Sequence, residues 1–246
     1  MSNPSYAKMI FQILSPHFNF CSVTFLLLLV TGLCLVVPHF FLPPLNYDHF
    51  LAKTDLPYVY LQPALIRRNP IYLYQCFTSM LFHNSYLHYT GSMMVVFLKM
   101  APLEYIFQAA PFTSLLGGFV TNCYVALLTN YQFIGFTGVV ASTIGMYAGF
   151  LILNWPYLVE NYEHMIRPWL VGWFTVLAMF VMGSTSWKYL LYHFISMVLG
   201  VYMGIGFFPR YSNTTREVWL SYGFRFFSFL VILAPIVLIV CRNDVS

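Results

Sequence analysis

The chain has 246 residues, of which 60% are hydrophobic and 7% are charged, and its formal net charge is +4 at pH 7. Soluble domains carry about 25% charged residues, so this composition excludes an ordinary soluble protein and indicates a polytopic membrane protein. The few cations form no basic run, so no nucleic-acid-binding face is expected.

Seven continuous apolar runs follow one another along the chain. A run of about 20 such residues can cross a bilayer as a helix, whereas a β-barrel would alternate polar and apolar residues. We therefore predict an all-α, multi-pass membrane protein built as a helical bundle. The predicted spans are residues 20–39, 84–103, 108–129, 134–153, 168–184, 188–208 and 218–240.

The first run is too long for a signal peptide and lacks a small-residue cleavage site, so we expect a retained helix. The cations divide almost evenly between the two sides of a seven-span topology, and the positive-inside rule therefore assigns no orientation. Endomembranes and the mitochondrial inner membrane both stay open as the compartment.

The connection over residues 40–83 is long and rich in proline and aromatic residues, which predicts an irregular or partly helical segment resting on one membrane face.

A cluster of polar residues follows this connection. His88 and Ser92 are four residues apart on the second span and share a face, so they can donate hydrogen bonds into a common cavity. His83 is expected at the water boundary.

Neither a metal nor another cofactor is expected. No third ligand lies near His83 and His88 in the sequence. The five cysteines form no C-x-x-C pair and are odd in number, which indicates packing residues rather than a zinc cage or a disulfide framework.

Two of the predicted helices carry stripes of small residues. Small stripes let helix backbones approach closely in lipid, so we expect these two helices to touch. The stripe on the fourth span is formed by Gly138, Ser142, Gly145 and Gly149, and the stripe on the sixth by Ser196, Gly200 and Gly204.

Contact along both stripes brings Thr137, at the start of the fourth span, near His193 in the sixth. A hydroxyl beside an imidazole is the nucleophile and general base of a hydroxyl-dependent hydrolase. The alternative is a buried histidine that hydrogen-bonds a threonine to join two helices. Spacing alone favours this structural alternative.

In the order and spacing of these residues, the chain resembles the rhomboid superfamily of intramembrane serine proteases over about residues 70–208. The family has a histidine, a second histidine five residues on and an asparagine four further, then an acidic residue, a Gly-x-Ser-Gly and a histidine followed by small residues. The matching positions are His83, His88, Ser92, Glu104, Gly135 to Gly138, His193, Ser196 and Gly200.

The resemblance implies a six-helix core within residues 1–208, and residues 209–246 then form a connecting loop and an extra transmembrane helix. By the same resemblance, Thr137 is the nucleophile position and His193 the base. His88 and Ser92 are the oxyanion donors, together with backbone N–H groups.

The departures from the family all concern chemistry. Thr137 adds a methyl group to the nucleophile, Ser92 is shorter than asparagine, and Ala141 stands where an aromatic often supports the histidine. Tyr74 and Gln75 occupy the place of a Trp-Arg pair.

Together the departures favour a catalytically silent protein that binds other transmembrane proteins, or an accessory subunit of a membrane complex. A protease with a threonine nucleophile and a channel or transporter are the alternatives. Arg225 in the seventh span marks that helix as a candidate docking element, or else is an interfacial arginine.

Overall fold

We describe a computed structural model of the chain. The structure describes residues 21–41, 71–83, 86–128, 135–158, 187–211 and 214–245, and these residues contain helices and turns without a β-strand. The predicted span 168–184 and residues 42–70 of the long connection lie outside the described residues.

The first helix, α1, covers Val23–Phe41. The short helix α2 covers Leu73–Thr78 and ends in a turn that leads to His83. The long second predicted span is the helix α3 over residues 86–106, in which a π-helical turn, Val96–Met100, separates Tyr86–Val95 from Ala101–Ile106.

The π-helical turn in α3 comes directly before Pro102, which lies in the first turn of the helical segment after it. Proline has no N–H, and its ring clashes with the carbonyl four residues earlier in a regular α-helix. The wider turn accommodates this ring without ending the helix. Proline thus sets the place where α3 changes its winding.

Four further helices complete the described bundle. They are α4, Ala110–Leu128; α5, Thr137–Leu158; α6, Trp187–Phe207; and α7, Thr215–Val245. By length and composition all four can cross a membrane, whereas the apolar part of α1, Val23–Val36, is shorter.

Six of the seven predicted spans therefore coincide with helices. Four of these helices meet the length and hydropathy of a membrane span, so the six-helix core with one extra span stays a prediction.

The helix α5 lies at the centre of the described bundle. In the apolar part of α5, 83% of the residues are buried, whereas in the apolar part of α7 the share is 22%. The helix α5 is therefore surrounded by protein, and α7 is peripheral. The helix α6 packs on both α4 and α7, while α2 packs on α4 and α1 packs on α3. The bundle thus places the Thr137 end of α5 deep among the other helices.

Arg225 has a structural role in this packing. Its Nε donates a 2.9 Å hydrogen bond to the carbonyl oxygen of Gly206, so the guanidinium joins α7 to the last turn of α6. Ser221, one turn earlier on α7, donates to the same oxygen at 3.4 Å. The carbonyl groups of the last helical turn have no partner inside their own helix, and α7 supplies donors for one of them.

Candidate functional site

The segment before α5 turns sharply at Gly135. Its φ of +119° is a conformation that side chains rarely adopt, and its N–H donates a 2.9 Å hydrogen bond to the carbonyl oxygen of Ser79. The turn after α2 thereby holds the residue that sets the start of α5. Thr137 is the first residue of that helix and is half-buried.

Two histidines line this turn. The backbone N–H of Phe136 donates to Nε2 of His83 at 3.4 Å, and the rings of His83 and His88 meet edge to face with centroids 5.3 Å apart. A β-carbon added at Gly135 would lie 2.5 Å from Cε1 of His88, so the imidazole rests directly on the backbone before Thr137.

The expectation that His83 lies at the water boundary is wrong. Its side chain is 1% exposed, and besides His88 it packs against Tyr89, with the two ring centroids 5.2 Å apart. His83 lies before the start of α3 and His88 lies within it, so helical spacing does not relate the two side chains. The turn brings both rings to one place.

The helix α6 approaches the same end of α5. Ser196 donates its hydroxyl hydrogen to the carbonyl oxygen of Gly138, and His193 lies one turn earlier on α6. The imidazole of His193 interacts electrostatically with that of His88. The structure therefore gathers His193, His88 and the first turn of α5 at one end of the bundle.

Ser92, four residues after His88 on α3, is buried. Ser142 lies further along α5, and its hydroxyl is buried without a hydrogen-bond partner among the described residues. Ser142 is adjacent to α4, because a β-carbon added at Gly117 would overlap its hydroxyl oxygen. The Ser142 side chain therefore faces α4.

The two small-residue stripes lie against each other. A β-carbon at Gly145 would overlap the carbonyl oxygen of Met197, and one at Gly200 would overlap that of Ser142. A β-carbon at Gly149 would lie 3.0 Å from the α-carbon of Gly204. The backbones of α5 and α6 therefore touch along much of their length, which only glycine permits at these positions.

A buried hydrogen-bond network links the neighbouring helices, and the sequence analysis did not predict it. The Tyr192 hydroxyl donates to Oδ1 of Asn122 at 2.8 Å, while the Asn122 amide donates to the Ser79 hydroxyl at 2.9 Å and to the Cys76 carbonyl at 2.8 Å. The Tyr192 hydroxyl also hydrogen-bonds the backbone of Gly138.

One feature of the sequence points to this hydrogen-bond network. It is an asparagine inside a predicted span, because polar groups in a membrane need a partner. Asn122 is 2% exposed and Tyr192 is 2% exposed, so both need their hydrogen bonds to be made within the protein. The partner of Asn122 lies 70 residues away, beyond the reach of any local pattern.

Cys76 and Cys123 are buried beside this hydrogen-bond network, in a small apolar cluster with Ile71 and Ile239. Both are free thiols. No group of three potential metal ligands occurs among the histidine, cysteine and carboxylate residues that the structure describes. The chemistry that the assembled groups offer is therefore that of hydroxyl, imidazole and backbone N–H.

Apolar helices of membrane-spanning length indicate an integral membrane protein, and hydroxyl and imidazole groups meet at one end of its described bundle. The family model of the rhomboid domain matches residues 71–210, more than half of the chain. The chain belongs to the rhomboid family, as its motifs predict. No curated protein matches the chain.

Proposed function

We propose that this rhomboid-like membrane protein is catalytically silent and binds other transmembrane proteins, as an accessory subunit of a larger membrane complex does. One observation carries the proposal. The N–H of Phe136 already donates to His83, and the backbone of Gly138 is engaged by Tyr192, on either side of Thr137. N–H groups that bond within the protein are not directed at the oxyanion of a substrate.

The side chains of the site support the same proposal. A threonine nucleophile carries a methyl group that restricts χ1, and a displacement of about 1 Å can cost about 100-fold in rate. Ser92 is shorter than the asparagine of the family, and the loss of one oxyanion donor costs about 100 to 1,000-fold. Ala141 is buried at the position where the family often has an aromatic side chain.

A partner helix requires a surface rather than a cavity. The helix α7 is the least buried of the four candidate spans, and large apolar side chains such as Phe226, Leu230 and Leu233 point away from the protein. In this proposal a partner's transmembrane helix packs on the outer face of the bundle, and the internal site keeps the fold together.

A protease with Thr137 as nucleophile and His193 as base is the second candidate. The bond from Ser196 to Gly138 favours it, because it holds α6 one turn beyond His193 against the residue that follows Thr137. In this mechanism the imidazole removes the hydroxyl proton as the oxygen attacks a peptide carbonyl, and His88 with Ser92 donates to the oxyanion.

Cleavage of a transmembrane substrate in reconstituted vesicles tests the two candidates. The natural chain is compared with Thr137→Ser, with the double variant Thr137→Ser and Ser92→Asn, and with His193→Ala. A silent protein gives no cleavage with the natural chain or with Thr137→Ser. Cleavage by the natural chain that disappears with His193→Ala would instead establish the threonine protease.

The binding role has its own measurement. The proteins that crosslink to the natural chain in its native membrane are compared with the proteins that crosslink to the His193→Ala and Leu230→Trp variants. We expect His193→Ala to leave the set of crosslinked proteins unchanged and Leu230→Trp, the bulky change on α7, to reduce it. A set lost with His193→Ala and retained with Leu230→Trp would contradict a surface-binding role.

A further inference from the structure

Two arginines lie against one tyrosine ring where α6 turns into α7. Cζ of Arg210 is 5.7 Å from the ring centroid of Tyr222, and Cζ of Arg225 is 5.7 Å from the same centroid. An aromatic face attracts one cation, but two guanidinium groups beside one ring also repel each other. An anion held between them would remove that repulsion.

The hydrogen bonds of this group are incomplete. Arg225 donates from Nε to Gly206, but Nη1 of Arg210 is buried without a hydrogen-bond partner among the described residues. Oε2 of Glu217 is likewise buried without one, so these two atoms do not bond to each other. A buried guanidinium N–H without an acceptor is costly, and a phosphate oxygen is the acceptor that fits a guanidinium best.

The surroundings place this group at the level of a membrane surface. Arg210 lies between two candidate spans in the sequence, and the first turns of α7 expose 73% of Trp219 and 56% of Tyr222. Tyrosine and tryptophan concentrate at the boundary between lipid and water, where phospholipid phosphates are found. Basic residues at this depth bind anionic lipid headgroups.

We propose that Arg210, Tyr222 and Arg225 form a binding site for a phosphate group, supplied by the headgroup of an anionic phospholipid. Arg210 donates to the phosphate from Nη1, Arg225 donates from the guanidinium nitrogens that do not bond Gly206, and the Tyr222 ring contacts both cations. The site is independent of the polar end of α5 and of any proteolysis there.

The purified full chain in a non-ionic detergent is titrated with phosphatidylglycerol, and binding is followed by the shift in the thermal unfolding midpoint. Phosphatidylcholine serves as the zwitterionic lipid and inorganic phosphate as the soluble source. We expect phosphatidylglycerol to raise the midpoint more than phosphatidylcholine, and Arg210→Gln to weaken the apparent affinity about tenfold or more. Arg216→Gln is the matched control, because Arg216 is exposed on α7.

A second variant keeps the proposal testable if Arg210→Gln does not fold. Glu217 lies two turns before Arg225 on α7, and its negative charge opposes the binding of an anion nearby. Glu217→Gln should therefore tighten phosphatidylglycerol binding severalfold, which misfolding cannot imitate.

An equal loss of affinity in Arg210→Gln and Arg216→Gln would overturn the site, since it would mean attraction by overall charge. So would a Glu217→Gln variant that binds no more tightly than the natural chain, or the absence of any shift with phosphatidylglycerol. A shift with inorganic phosphate equal to that with phosphatidylglycerol would overturn the lipid source.

Discussion

The hydroxyl of Tyr192 donates a 2.8 Å hydrogen bond to Oδ1 of Asn122, and this bond joins α6 to α4 in the interior of the bundle. The same hydroxyl contacts the backbone of Gly138 in the first turn of α5. Tyr192 precedes His193, so the bond also fixes the part of α6 that carries the imidazole. Three helices are therefore held at the end where the polar residues meet.

Tyr192→Phe tests the contribution of this bond. The substitution keeps the ring but leaves Oδ1 of Asn122 buried without a donor, which should cost about 1–2 kcal/mol in the free energy of unfolding. Thermal unfolding of the purified chain in detergent measures it. Tyr74→Phe, at an exposed position, is the control and should leave stability unchanged; equal effects of the two substitutions would contradict the structural role.

The contact between α5 and α6 predicts a large effect at Gly145. An alanine there would overlap the Met197 carbonyl oxygen, and because both partners are backbone, the helices must separate. We expect Gly145→Ala to destabilise the protein by about 1–3 kcal/mol.

The matched control for Gly145 is Gly91→Ala on α3. No described atom of another element lies within 4 Å of the β-carbon that this substitution adds. The control should be neutral or stabilising by about 0.5–1 kcal/mol, because alanine favours a helix over glycine. A destabilisation at Gly91 as large as that at Gly145 would show that helix contact is not the cause.

Glu104 binds the first turn of α1 from a position 80 residues further along the chain. Its Oε1 accepts from the N–H of Val23 at 2.7 Å and its Oε2 accepts from the N–H of Thr24 at 2.9 Å. Helix N-termini expose such N–H groups and favour a negative charge beside them.

Glu104→Gln replaces one accepting oxygen by a donor and removes the charge. We expect a loss of about 1–2 kcal/mol in stability, together with faster hydrogen exchange at the amides of Val23 and Thr24. Exchange at these two amides that is as slow as in the natural chain would show that the carboxylate does not hold α1.

His83 predicts a dependence of stability on pH. Burial, with a smaller contribution from the positive charge of His88, lowers the pKa of His83 from 6.5 to about 3. Between these values the unfolded chain binds a proton at this residue that the folded chain does not. The free energy of unfolding should therefore be constant above about pH 6.5 and decrease below it, by up to about 1.4 kcal/mol per pH unit.

Thermal unfolding between pH 7.5 and pH 4 measures this dependence, with His83→Gln as the comparison. Glutamine does not titrate, so the decrease on acidification should be smaller in the variant. Identical profiles for the two proteins would show that His83 is not the responsible group.

The family membership and the positions of six helices were predictable from the sequence. Hydropathy places the helices because a membrane span requires about 20 apolar residues, which is a local property. The spacing from His83 to His193 carries the resemblance to rhomboid proteins, and the family model over residues 71–210 agrees with it. These features depend only on residue identity and order along the chain.

Tertiary structure decided which polar groups meet. The burial of His83, the binding of Glu104 to α1 and the bond between Tyr192 and Asn122 join residues that are distant in the chain or separated by a turn. Helical periodicity indicates which residues share a face, but not which neighbour that face contacts or how far each helix slides along it. Buried hydrogen-bonding groups must find partners, and only the packed bundle determines which ones are within reach.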